Sequence, residues 1–227
     1  MDYTHPKRKT KVVFVQLGSP SEPTTKALRK YLRKFLGDPR VVDINPWLWK
    51  IILNCFVLPF RPRKSAKLYA RIWDGESFPL ITNTRDFTNN VSEELKKIDP
   101  EGYVEVNHAF LLSPPYVNEV YDSWEEDLKK GIGATKLLVI PMFPQYSEST
   151  IASGIDALAK EISKRVKIPT FEVITNFHRT HAFIDNSVNQ VDAKLEELKK
   201  KGKNIDSLII TFHGMQKRRI VNKGDDY

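Results

Sequence analysis

Short β-branched and aromatic runs alternate along this chain with longer stretches whose apolar residues recur at helical spacing, and that alternation constrains the fold most. The runs at 11–17 (KVVFVQL), 103–110 (YVEVNHAF), 136–142 (KLLVIPM), 170–175 (TFEVIT) and 207–212 (SLIITF) have the length and composition of strands. Between them, Thr25–Leu36 places Leu28, Tyr31, Leu32, Phe35 and Leu36 on one stripe with Lys and Arg opposite. The stretches 63–73, 83–98, 117–130, 150–166 and 181–201 follow the same pattern, and Gly37-Asp38-Pro39 and Gly131-Ile132-Gly133 supply stop signals. Strand–helix–strand alternation predicts an α/β fold with right-handed crossovers and a mostly parallel sheet covered on both faces. Two such units fit, with the seam near 131–137: a first α/β unit over 1–134 and a partial second over 135–227.

Composition narrows the class. With 227 residues, 41% hydrophobic and 28% charged, the chain is ordinary for a globular protein and long enough to bury a core, which excludes disordered and collagen-like classes. A single cysteine, Cys55, excludes a disulfide framework and a Cys-based zinc site and suits a reducing compartment. No signal-peptide apolar region opens the chain, and the most apolar stretch, 47–60, is interrupted by Lys50 and Asn54 and too short to span a bilayer. The reading is cytoplasmic. Thirty-six Lys and Arg against 28 Asp and Glu give a net charge of +8, which suits nucleic acid, an anionic membrane surface or an acidic small molecule. No nucleic-acid-binding motif accompanies the charge, so no nucleic-acid partner is expected. There is no G-x-G-x-x-G after a strand and no P-loop, so a nucleotide cofactor is not indicated.

In open α/β sheets, ligands bind outside the carboxyl ends of the strands. The first strand runs into Gly18-Ser19-Pro20, the run at 136–142 into Phe143-Pro144-Gln145-Tyr146-Ser147, and the run at 207–212 into His213-Gly214. His213 is the sharpest candidate: a neutral imidazole there can ligate a metal ion or take a proton, and Gly214 lets the backbone turn. The other reading is a satisfied core or loop histidine. His178 and His181 have i, i+3 spacing but no supporting carboxylate or Cys, and read as structural or solvated. His108 reads as a sheet residue. Tyr146 and Ser147 either precede and cap a helix near 150 or line a pocket floor, and Tyr69 is either a core aromatic or a pocket wall. The stretch 47–60 (WLWKIILNCFVLPF) is a core helix or an exposed apolar lip with Arg61, Arg63 and Lys64 beside it.

At VVFVQLGSP (12–20), YLRKFLGDPRVVD (31–43), RPRKSAKLYARIW (61–73), FPQYSESTIASGID (143–156) and ITFHGMQKRRIVNKGDDY (210–227), in this order and spacing, the chain resembles the ferrochelatases, which insert ferrous iron into a porphyrin in haem synthesis. The resemblance implies two Rossmann-like units with a deep cleft and a chelatase-type lyase acting on protoporphyrin or a related porphyrin. It makes His213 the active-site imidazole, binding the metal or taking a pyrrole proton. It places Leu17 and Ser19 after the first strand, and Tyr69, Gln145, Tyr146 and Ser147, in porphyrin-lining positions. It makes 47–60 the lip used for porphyrin entry and, in membrane-associated members, for peripheral bilayer contact. No permanently bound cofactor is implied; ferrous iron enters as a substrate, and a single Cys argues against an iron–sulfur cluster.

The chain departs from the family pattern in several places. An Arg-Tyr pair before a Pro turn is replaced by Phe110 and Leu111, a Gly-Ser-Pro by Ser77-Phe78-Pro79, and a Gly-Asp-Pro-Tyr by Gly224-Asp225-Asp226-Tyr227. Family members continue past the position of Tyr227 with a glutamate that faces the histidine. The resemblance therefore predicts weak or absent iron insertion and exposed sheet edges. It leaves a second reading: a catalytically silent porphyrin-binding paralogue, or a fragment needing a partner chain.

Overall fold

The structure is a computed structural model and describes residues 9–131 and 134–225. The 11–17 run forms β1 (Thr10–Gln16), buried from Val12 to Val15. It leads into α1 (Thr25–Leu36), whose first turn is capped by Thr24: the hydroxyl accepts from the Ala27 amide at 3.2 Å. Next come α2 (Pro46–Ile52), a π-helical turn (Leu53–Val57) and α3 (Leu58–Tyr69). The helix widens just before Pro59, which has no amide hydrogen to donate into the ladder. The chain continues through α4 (Pro79–Ile98), β2 (Val104–Phe110), α5 (Val117–Lys129), β3 (Lys136–Pro141), a π turn (Glu148–Ala152), α6 (Ser153–Ile162) and β4 (Thr170–Val173). Last are α7 (His181–Lys200) and α8 (Lys217–Lys223).

The four strands form one all-parallel sheet in the order β2-β1-β3-β4, with Val13 opposite Asn107 on one side and Val139 on the other. Consecutive strand residues face opposite ways, so the middle of the central β1 is apolar from Val12 to Val15, while the buried Lys11 before it is paired with Glu105 at 3.3 Å and Asp127 at 3.7 Å. Val13 and Val15 join Leu137 and Val139 of β3 under Tyr121 and Trp124 of α5 and Leu158 of α6. Phe14 meets Phe87 of α4 edge-on, 5.0 Å between ring centres. The polar tips of the buried aromatics are satisfied: the Trp124 indole donates to the Ala134 carbonyl at 2.6 Å and the Tyr121 hydroxyl to that of Lys167 at 2.9 Å. A second apolar cluster joins Tyr31, Leu32 and Leu36 of α1 to Leu53 and Leu58.

The chain divides into two compact units. One runs to Phe143 and includes Glu148–Ile174; the other holds Pro144–Ser147 and everything from Thr175. The sheet crosses the seam expected at 134/135, because β3 and β4 pair onto β1 and extend its sheet. Ile132 and Gly133, within that expected seam, lie outside the described residues, as do Asp226 and Tyr227.

One expectation is corrected. The run at 207–212 is not a strand: 203–216 has no regular secondary structure, and Ile209, Ile210 and Phe212 are 82%, 71% and 72% exposed. A strand needs a neighbour for its amides and carbonyls, and no strand forms in that unit among its described residues. Of the two readings of 47–60, the structure rules out the core helix. Only one side of it reaches the cluster on α1, so Leu53 and Leu58 are buried while Trp47, Ile51, Phe56 and Phe60 are exposed. No helix among the described residues is long and apolar enough to cross a membrane.

Candidate functional site

In the first unit, the end of β1 places Leu17 and Ser19 on either side of Gly18, which adopts a φ of 91°. A side chain at Gly18 would collide with the Ser113 hydroxyl and press on Phe110, so only glycine lets this turn lie so close to the end of β2. The turn is pinned on several sides. The Leu17 carbonyl accepts from the Leu112 amide at 3.0 Å, and the Ser19 amide donates to the Ser113 hydroxyl at 3.3 Å. The Gly18 carbonyl accepts from the Tyr31 hydroxyl at 3.4 Å. Tyr69, half-buried at the end of α3, meets Tyr31 edge-on with ring centres 6.2 Å apart. Leu17, Ser19 and Tyr69 are thus brought together, with Tyr31 between them. Burial, and then the neighbouring Tyr69, push the Tyr31 phenol well above its ordinary range and keep it protonated.

The segment YLRKFLGDPRVVD is joined to TIASGID within this unit. The Arg40 guanidinium grips Asp156 through two hydrogen bonds, 2.6 and 2.9 Å, and lies 3.9 Å from Glu148. The hydrogen bond from Arg40, more than its charge, holds the Asp156 carboxyl below the usual carboxylate range.

The second unit holds Gln145, Tyr146, Ser147 and His213. Gln145 and Tyr146 are half-buried; Ser147 is buried and its hydroxyl donates to the buried Asp225 carboxylate at 3.3 Å. Asp225 follows Gly224, whose left-handed φ of 70° ends α8. This hydrogen bond ties FPQYS to NKGD, two segments far apart in sequence. The Pro144 carbonyl accepts from the amides of Phe177 and His178, both at 3.0 Å, and from the protonated Nδ1 of His178 at 3.2 Å. His213 lies exposed in the 203–216 segment rather than at a strand tip. Among the described residues, no group of three or more His, Cys, Asp or Glu side chains is gathered as a metal site.

Sequence reasoning put Tyr31 on the buried stripe of α1 but assigned its hydroxyl no part. The available signal was that it is the stripe's single polar atom. The Ser147–Asp225 contact spans 78 residues and left no local signal.

Comparison with known proteins supplies the context for these segments. A family model described as Ferrochelatase matches residues 9–227. The ferrochelatase of Idiomarina loihiensis is 38% identical over 216 residues, covering 95% of this chain and 56% of its own length. That of Herminiimonas arsenicoxydans is 37% identical over 99% of this chain and 58% of its own length. The coproporphyrin III ferrochelatase of Streptococcus mutans is 34% identical over 97% of this chain and 64% of its own length. This chain therefore spans less than two-thirds of the length of these relatives, yet nearly all of it matches them. With β1, the pinned Gly18 turn, FPQYS and FHG all inside the matched span, the chain belongs to the ferrochelatase family.

Proposed function

We propose that this chain binds a porphyrin and takes part in inserting ferrous iron into it to make haem, with protoporphyrin or a related porphyrin as substrate. The observation that carries this reading is the family match across 9–227. Metal insertion requires two pyrrole protons to leave while the ion enters, from a macrocycle bent so that its nitrogens point out of plane. A wall of packed aromatic rings resists deformation and can turn binding energy into that bend. Tyr31, Tyr69, Phe78 and Trp73 form such a packed series, each ring edge-on to the next at 6.2, 5.5 and 4.7 Å. Leu17, Ser19, Gln145, Tyr146 and Ser147 are the remaining proposed porphyrin contacts. The His213 imidazole is proposed as the ligand of incoming ferrous iron or as the base for a pyrrole proton. Exposed cations such as Lys30 and Lys34 of α1 would meet the propionate carboxylates. The exposed apolar side of 47–60 is proposed to admit the porphyrin and to touch a membrane surface peripherally.

The exposed 208–212 run favours a second reading, in which the chain holds porphyrin but inserts iron only with a partner chain. An anaerobic absorbance titration separates the two. The expected result is a shifted Soret band on mixing with protoporphyrin or coproporphyrin III, then slow growth of the metalloporphyrin spectrum after ferrous iron is added. A shift with no metalloporphyrin supports the second reading, and no spectral change with either porphyrin overturns both.

A further inference from the structure

We propose that His178 is a positioning residue for porphyrin binding: its imidazole fixes the Pro144 carbonyl and thereby the backbone that carries Gln145 and Tyr146. This rests on the reading of Gln145 and Tyr146 as porphyrin contacts. Both lie in the second unit, as do Pro144, Ser147, His178 and Asp225. Gln145 and Tyr146 are half-buried, and among the described residues neither side chain makes a hydrogen bond that would orient it. Their placement therefore depends on the residues that flank them. Ser147, on one side, is held by its hydrogen bond to Asp225 at 3.3 Å. Pro144, on the other, has no amide hydrogen, so its carbonyl is the single backbone group of that residue that can be tied.

Three donors converge on that carbonyl. The amides of Phe177 and His178 each donate at 3.0 Å, and the His178 ring donates at 3.2 Å. A carbonyl oxygen only accepts, so the Nδ1 of His178 carries the proton. The two amides would be present with any residue but proline at 178, whereas the third donor belongs to the side chain. Among the standard side chains, only His and Asn carry an N–H on a δ atom, the position from which this bond is made. The donors stand on a fixed support. The Thr180 hydroxyl donates to the Phe177 carbonyl at 2.8 Å and accepts from the Phe183 amide at 3.3 Å, and the Phe177 ring meets Phe183 edge-on at 5.7 Å. Loss of the ring N–H would leave this support intact and widen the range of orientations open to the Pro144 peptide, and to Gln145 and Tyr146 after it.

The test compares three variants of the full chain, with dissociation constants and bound Soret positions from absorbance titration with protoporphyrin, and a melting curve for each. His178→Asn keeps a donor on the δ atom and should bind within about twofold of the unaltered chain, with the same bound Soret position. His178→Gln moves the donor one atom outward and His178→Leu removes it; each should bind about fivefold more weakly, the scale of one hydrogen bond, and displace the bound Soret band. Equal binding by the Asn and Gln variants, or binding by the Leu variant equal to that of the unaltered chain, would overturn the role of His178 and leave the porphyrin reading standing. The comparison of Asn with Gln decides the matter even where the Leu variant lacks a cooperative melt. Absence of binding by the unaltered chain would overturn the porphyrin reading, and this inference with it.

Discussion

In the first unit the buried side chains are mostly apolar and lie on both faces of β1, whereas in the second the buried residues among those described are Ser147, Arg219 and Asp225. Apolar burial is non-directional and adds up at roughly 25 cal/mol per Å², so the first unit is held by many interchangeable contacts. The second depends on caps and individual hydrogen bonds, each worth about 1 kcal/mol. Examples are the Thr180 hydroxyl accepting from the Phe183 amide at 3.3 Å and the Ser147–Asp225 link at 3.3 Å. The proposed porphyrin contacts Leu17, Ser19 and Tyr69 stand on the first kind of support, and His213 on the second. Local stability is expected to differ accordingly.

The sharpest way to break this contrast is truncation in each unit. Leu28 is fully buried, and Leu28→Ala should cost about 3 kcal/mol in urea unfolding. Phe212→Ser should change stability by less than about 0.5 kcal/mol and reduce aggregation. Equal losses would show that 208–212 is packed. Gly18→Ala comes next, at about 2 kcal/mol, because the substitution is strained at positive φ and strikes Ser113. A neutral result would mean that the turn is loose. Ser147→Ala should cost about 1 kcal/mol, felt locally: amide exchange should speed up at 145–147 and 217–225 with β1 unaffected. Uniform acceleration would show the units unfolding as one.

The smallest effect is one of pH. Burial, and then the positive Arg85, depress the His108 pKa below its ordinary value of about 6.5. The unfolded chain therefore takes up this proton more readily than the folded one. The associated stability is complete above about pH 6.5 and is lost as pH falls through the lower folded value. Melting temperatures measured from pH 7.5 to 5 should fall more in the unaltered chain than in His108→Leu, and parallel curves would refute this.

Much of the first unit was legible because its signals are local. The stripe of α1 and the Gly37 stop mark one helix to the residue, and the apolar run Val12–Val15 marks β1 because that strand is covered on both faces. The run at 207–212 carries the same local signal as β3, yet strand formation depends on a distant partner that composition does not reveal. The stretch 47–60, apolar nearly all round, has no polar face to say which side meets the core. At the site, residue types and motif order pointed to His213 and FPQYS, but the pairing of Ser147 with Asp225 and of Tyr31 with Gly18 depends on chain crossings that no spacing encodes.

The most direct measurement compares the unaltered chain with His213→Ala under anaerobic conditions, reading porphyrin binding and iron insertion in the same cuvette. The account predicts that the variant keeps the shifted Soret band and loses metalloporphyrin formation. Insertion at the same rate in both chains would contradict it.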